Sequence, residues 1–278
     1  MIQYQHHGVT VFRSALYFTN STIVDAGDAV LLVDPSWLPD EVAAIRQYVD
    51  RMLGERPLYL VFTHSHYDHI IGAGAFPEAI TVAGQSFVDR EDFQESLNDI
   101  NDFDDQWYLD RPYPILYPAI QYPVERPALI QQGRMKLRVL PAPGHSPCSI
   151  FVLEESTGTL FVGDYLSDVE IPNIYFSSTQ YEASLAQLEP FLESGQIQRL
   201  VPGHGHVADA PSEMRRRIED NRHYIADIRR ALRQQDVQAL QAWTSTFRFP
   251  KMMGHYHDIN VSVIARELGL PIPGQESD

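Results

Sequence analysis

The 278-residue sequence has a single cysteine, Cys148, so no disulfide can form within the chain, which fits a reducing compartment. It also lacks a basic excess: 37 acidic residues face 21 lysines and arginines, a formal charge of −16. A protein that grips phosphate backbones needs a cationic stripe, and none dominates, so no nucleic-acid partner is expected. No apolar run approaches the roughly 18 residues of a membrane span, and no membrane partner is expected either. The opening stretch, MIQYQHHGVTVFRSALYF, lacks the basic start, unbroken apolar run and small-residue cleavage site of an export leader. A soluble cytoplasmic protein is the simplest expectation. Repeats and low-complexity tracts are absent as well.

What is present is ordinary globular material, 44% hydrophobic and 21% charged, long enough to bury a substantial core. We expect one domain over residues 1–278. Short β-branched runs at 21–24 and 29–33 flank Asp25-Ala26-Gly27-Asp28 and predict a hairpin. Val42, Ile45, Val49 and Met52 recur at helical spacing after Pro39 and Asp40, and Gly54 is placed to stop the helix. The continuous apolar run 58–62 predicts a strand buried on both faces. Further strands are expected at 135–140, 150–153, 159–162 and 199–201, with a helix over 181–192.

Two segments differ in texture. Residues 89–127 begin with nine carboxylates and one arginine up to Asp110, then carry Tyr108, Tyr113, Tyr117 and Tyr122 among five prolines. This reads as a loop-like insertion packed over the active site, a lid. Residues 212–278 read as a helical C-terminal extension. Its first helix, 212 to about 234, sets Met214, Ile218, Ile225, Ile228 and Leu232 on one face and most of its arginines elsewhere, on a solvated face.

The chemistry concentrates in Thr63-His64-Ser65-His66-Tyr67-Asp68-His69, directly after the buried strand 58–62. Imidazole and carboxylate are the ligands that zinc accepts in open, catalytic sites. Residues two apart in extended chain point the same way, so His64 and His66 can grip one ion. If a helix follows, Asp68 and His69 can face a second. Three more candidates stand at strand ends: His145 in Pro143-Gly144-His145-Ser146-Pro147, Asp164 in Gly163-Asp164, and His204 in Pro202-Gly203-His204-Gly205. Glycine lets the backbone turn closely at each place so that a side chain projects from the sheet edge.

With Asp34, the T-H-S-H-Y-D-H run, His145, Asp164 and His204 in this order, the chain resembles the metallo-β-lactamase-fold superfamily over about residues 24–207. The resemblance implies an α/β fold, a four-layer αββα sandwich with the site along one edge of two sheets. It implies two metal ions, zinc with iron or manganese as alternatives. His64, His66 and His145 would hold the first, Asp68, His69 and His204 the second, and Asp164 both. Asp34 would orient the ligand loop from behind, beside Thr63.

Such a site makes hydroxide at neutral pH between cations about 3.5 Å apart, ready to attack a carbonyl or phosphorus. Ser65 and Cys148 are then packing or turn residues rather than nucleophiles. Asp68 is a ligand and candidate proton acceptor. Tyr67 and Tyr165 are candidate contacts to the oxyanion or substrate. Trp107, Tyr108, His255 and His257 are candidate pocket residues.

Fold does not choose the reaction. Asp164 stands where many true β-lactamases carry cysteine or serine, and the negative charge disfavours nucleases. We expect a hydrolase of a small ester or lactone, with a glyoxalase II-like thioesterase as runner-up. Persulfide dioxygenases share H-x-H-x-D-H, so a mononuclear iron oxygenase is the alternative of another class. β-Lactamase, phosphodiesterase and non-catalytic scaffold roles rank lower. The expected partner is a small molecule, and the insertion and tail are the surfaces a homodimer would use.

Overall fold

The computed structural model describes residues 1–274; residues 275–278, the end of the expected extension, lie outside the described residues. The chain opens with strands β1 (Ile2–His6), β2 (Val9–Arg13), β3 (Asn20–Asp25) and β4 (Val30–Val33). Helix α1 (Pro39–Leu53), strand β5 (Leu58–Val61), the one-turn helix α2 (Tyr67–Ile70), strand β6 (Ile80–Gly84), helices α3 (Gln85–Val88) and α4 (Phe93–Trp107) and strand β7 (Tyr122–Val124) follow. These strands form one sheet in the order β1 to β7, antiparallel through β4 and parallel beyond it.

A second sheet comprises β8 (Ala128–Gln132), β9 (Met135–Pro141), β10 (Ile150–Glu154), β11 (Thr159–Phe161) and, after helices α5 (Ser178–Ala186) and α6 (Glu189–Glu193), β12 (Arg199–Val201). Its order is β12-β11-β10-β9-β8, and only β11 and β12 are parallel. Helices α7 (Pro211–Gln234), α8 (Val237–Thr244) and α9 (Pro250–Leu268) complete the described chain. No helix among the described residues is long and apolar enough to cross a membrane.

Side-chain alternation builds the layers. In β4, Leu31 and Val33 join Leu137, Val139, Val152 and Phe161 of the second sheet in a core between the sheets. Val30 and Leu32 point the other way, onto Val42, Ile45 and Val49 of α1. The second sheet repeats this: Phe151, Leu153 and Leu160 pack against Tyr181 and Leu185 of α5 and Ile218, Ile225 and Ile228 of α7. Burying each such aliphatic side chain contributes about 1.5–3 kcal/mol. The result is the four-layer αββα sandwich expected from the resemblance.

Three expectations needed correction. The acidic segment is not loop-like: α4 occupies 15 of its residues. Leu97, Ile100 and Phe103 supply an apolar stripe that joins the outer core of the first sheet. The single helix over 181–192 is two, because Pro190 lacks an N–H and would clash with the carbonyl of Ala186; it sits instead in the first turn of α6. Arg217 of α7 is not on a solvated face. It is buried and donates to the carbonyl oxygens of Leu166 and His206 and to Glu213.

Candidate metal centre

Every ligand candidate follows a strand end at one edge of the sandwich. The loop after β5 carries His64 and His66, and α2 turns Asp68 and His69 back towards it. His145 follows β9, Asp164 follows β11 and His204 follows β12. Backbone hydrogen bonds stitch these loops together: Ile150 N donates to Thr63 O (2.9 Å), Gly203 N to Gly163 O (2.6 Å) and Asn20 N to Gly203 O (2.7 Å). Two glycines allow the approach. Gly144 has φ +144° with the Tyr181 backbone beneath it, and a Cβ on Gly203 would stand 2.5 Å from Asp164 Oδ1.

The side chains converge in two groups. His64, His66, His145 and Asp164 form one and Asp68, His69 and His204 the other, the ligand atoms of each lying within 4.8 Å of one another. Asp164 joins the two. Its Oδ2 lies 3.3 Å from His145 Nε2 and 3.6 Å from His64 Nε2, while its Oδ1 lies 3.1 Å from His69 Nε2 and 3.3 Å from His204 Nε2. Asp68 Oδ2 is 3.3 Å from Nε2 of both His69 and His204.

The outward nitrogens are held by acceptors. His69 Nδ1 donates to Asp34 Oδ2 (2.9 Å), His145 Nδ1 to Asn173 O (2.6 Å), His204 Nδ1 to Tyr17 O (3.0 Å) and His64 Nδ1 to Thr63 Oγ1 (3.2 Å). Each bond fixes the tautomer that points a bare Nε2 lone pair inward. Asp34 in turn accepts from Thr63 N (2.8 Å) and Thr63 Oγ1 (2.5 Å). It therefore holds both the start of the ligand loop and one ligand ring.

Charge divides the two groups. Burial, reinforced by the charge on His69, pushes His64 well below its ordinary pKa; burial, with His145 beside it, takes His66 down to about 3. Burial also lowers His145, against the pull of Asp164. At His69 burial acts downward, but Asp68, Asp164 and Asp34 outweigh it and hold the ring well above its usual value. At His204 Glu170 and Asp164 do the same. Burial would raise Asp68 and Asp164, yet the surrounding histidines keep both well below the usual carboxylate range.

Donor chemistry fits divalent ions. His64 Nε2, His69 Nε2 and Asp164 Oδ1 are buried without a hydrogen-bond partner, an arrangement that costs about 1–3 kcal/mol per group unless something else binds there. Imidazole nitrogens and carboxylate oxygens converging from several loops are what zinc, iron or manganese take up.

The groups open into a cavity of about 350 Å³ lined by Tyr17, Trp37, Tyr67, Arg90, Asp99, Glu170, Asn173, Tyr175, His255 and Tyr256, among others. Tyr67 lines it, edge-on to Trp37, and burial raises its hydroxyl. His255 lines it from α9. The other aromatic and histidine candidates stand elsewhere. Tyr165 is buried: its hydroxyl accepts from His145 N (3.0 Å) and donates to Ala142 O (2.8 Å), so it braces the His145 turn rather than meeting a substrate. His257 is buried in the tail, its Nδ1 2.8 Å from Tyr224 Oη and its Nε2 donating to Leu240 O. Trp107 borders a neighbouring groove, 59% exposed, and Tyr108 is 94% exposed in the left-handed cap of α4. Cys148 is buried, donating to Ser65 Oγ (3.2 Å).

Sequence reasoning missed Tyr17, Trp37, Arg90, Glu170, Asn173, Tyr175 and Tyr256. None belongs to a spaced motif; only the proximity of residues 170–175 to Asp164 offered a signal. Burial pushes Glu170 up to about 7.

A family model described as "Metallo-beta-lactamase superfamily" matches residues 15–215. Among curated proteins, acyl-coenzyme A thioesterase MBLAC2 of Gallus gallus is 29% identical over 169 residues, covering 56% of this chain and 60% of that protein. The uncharacterized protein YobT of Bacillus subtilis (strain 168) is 25% identical over 233 residues, 78% of this chain and 96% of that one. The chain thus spans only about 60% of the length of MBLAC2. A metallo-beta-lactamase family protein of Thermus thermophilus shares the fold, with a TM-score of 0.62, 18% identity and 94% of each chain covered.

Proposed function

The chain belongs to the metallo-beta-lactamase superfamily, and from that premise we propose that it is a metal-dependent hydrolase of a small thioester or ester. One observation carries the reading. Seven donors, Asp164 among them, meet in two groups that Asp164 joins through its two oxygens, and three of their buried atoms have no partner. The thioester bond comes first because the MBLAC2 relatives are named as thioesterases; simple esters and lactones come next.

His64, His66 and His145 would hold one ion, Asp68, His69 and His204 the other, and Asp164 would touch both. Bound divalent ions, zinc foremost, supply Lewis acidity and lower the pKa of water. The chain's own groups do the rest. Asp34, Thr63 and Tyr165 fix ligand rings and turns, so little reorganisation accompanies the reaction. Asp68, at the cavity floor, is placed to accept the proton that an attacking water gives up. Tyr67 and Tyr17 line the cavity that an acyl group would enter. Segment 89–127, through α4, and segment 212–274, through α9, wall the cavity and limit bulk water. The complete second donor group favours this reading over a mononuclear iron oxygenase.

The test is elemental analysis with a substrate panel of thioesters, aryl esters, lactones, phosphoesters and β-lactams. Two zinc ions per chain and turnover of thioester or ester are expected, both lost in Asp164→Ala. One iron per chain with oxygen uptake would overturn the proposal.

A further inference from the structure

Residues 170–175, between the Asp164 loop and α5, give the cavity three groups, Glu170, Asn173 and Tyr175. Their hydrogen-bonding character is lopsided. Asn173 is 5% exposed and its Oδ1 is buried without a partner. Among the described residues, neither Glu170 nor Asp99 has a lysine, arginine or histidine within ion-pair distance, although both line the cavity; the charge of Glu170 is felt by His204 only from farther off. Arg90 also lines it, but its guanidinium is committed to Asp92 (2.5 Å), Ser65 Oγ (3.0 Å) and Ser96 Oγ (2.9 Å). Apart from the ligand candidates His66 and His204, the other basic side chain that lines the cavity, His255, stands on α9 beside Tyr256.

Aromatic faces accompany these acceptors. Tyr17 stacks on Trp37 with centroids 5.3 Å apart, and Tyr175 meets Tyr256 at 6.5 Å. Rings with carboxylates and an unsatisfied amide oxygen are suited to a positively charged hydrogen-bond donor. Beyond them α4 presents Glu95, Asp99, Asp102, Asp104 and Asp105 with no basic residue of its own. Arg111 answers only Asp104 (2.7 Å), and Lys251 shares the neighbouring groove. A polyanion entering past this helix meets like charge.

We infer that the cavity selects an acyl substrate bearing a protonated amine, held by Glu170 and Asn173 with Asp99 at the mouth, and discriminates against carriers rich in phosphate such as coenzyme A. The inference rests on the hydrolase reading and names its substrate class.

The test compares four butyryl thioesters on the zinc-loaded full chain. S-butyryl-2-(dimethylamino)ethanethiol carries a tertiary ammonium with one N–H, butyrylthiocholine a quaternary ammonium without one, S-butyryl-N-acetylcysteamine no charge, and butyryl-CoA several negative charges. The tertiary ammonium should exceed butyryl-CoA in kcat/KM at least 100-fold and butyrylthiocholine at least 3-fold. Glu170→Gln, Asp99→Asn and Asn173→Leu should each shrink the ammonium-to-CoA ratio about tenfold. Calorimetric titration with the non-hydrolysable probe butyl-dimethylammonium should show the same ranking among variants.

Butyryl-CoA turned over as well as the tertiary ammonium would overturn the inference while leaving the hydrolase reading standing. Turnover of none of the four would sink the thioester chemistry, yet probe binding that weakens in the three variants would still support ammonium recognition. Probe binding indifferent to all three would end it. Loss of zinc in Glu170→Gln, with Asp99→Asn leaving the ratio unmoved, would assign the carboxylates to the metals and refute it as well.

Discussion

Replacing Asp34 with asparagine keeps the shape of the side chain and reverses part of its hydrogen bonding. In the native arrangement Oδ1 accepts from Thr63 N at 2.8 Å, and Oδ2 accepts from Thr63 Oγ1 at 2.5 Å and His69 Nδ1 at 2.9 Å. Asparagine has one oxygen for three donors. With that oxygen facing Thr63 N, its amide group donates to His69 Nδ1 and moves the ring proton to Nε2, the atom a metal requires. With the oxygen facing His69, two N–H groups oppose each other at Thr63, an orphaned donor costing about 1–3 kcal/mol. Neither orientation preserves both ends.

The expected loss is about 10–100-fold in affinity for the second ion, the usual consequence of removing a partner behind a ligand, and a few degrees in melting temperature. Competition with a chromophoric chelator, resolved into two binding steps, measures it. The first ion, on His64, His66 and His145, should be much less affected. Wild-type affinity at both steps in Asp34→Asn would refute the tautomer argument.

Gly203→Ala places a methyl 2.5 Å from Asp164 Oδ1 and 2.9 Å from His69 Cε1; overpacking of about 1–3 kcal/mol should appear chiefly as weakened zinc binding, and unchanged metal content on dialysis against limiting zinc would contradict it. Asn260→Ala removes the side chain that accepts from Ile174 N and donates to Pro172 O and Tyr224 Oη. It should cost about 2–4 kcal/mol in urea unfolding and raise KM, since Asn173 lies between the two anchored residues. Because His69 and His204 are held above their ordinary pKa, they carry protons that a cation must displace. Zinc uptake at that half should therefore weaken from pH 8 to pH 6 and release protons; calorimetry in buffers of different ionisation enthalpy would expose the idea as wrong if no protons are released.

The candidate donors were legible because they cluster next to patterned elements. Three histidines and an aspartate followed a continuous apolar strand, and three further donors sat in glycine turns after other strands. The layers were legible through the resemblance, and alternation along β4, β5 and β10 supports them. The cavity wall was not, for a physical reason. Tyr17, Glu170, Asn173 and Tyr256 come from separate segments, and their meeting depends on packing that no local period encodes. Tyr165 shows the converse error: adjacency to Asp164 suggested a cavity contact, whereas the turn at Gly163 and Asp164 directs it into the core against Tyr181 (4.1 Å between centroids). Helix α4 was hidden because its carboxylates outnumber the three apolar residues, Leu97, Ile100 and Phe103, that define its inward stripe.

That helix also bears on how the protein can change over generations. Asp34, Gly203 and Tyr165 are each tied to a ligand, so substitutions there are paid in metal affinity. Asp99, Asp102 and Asp105 of α4 hold no ligand ring or ligand turn in place. A lineage is therefore free to trade them for neutral or basic residues and acquire a different clientele of substrates while the metal machinery stays intact. In this molecule the capacity for innovation and the capacity for chemistry occupy different stretches of chain.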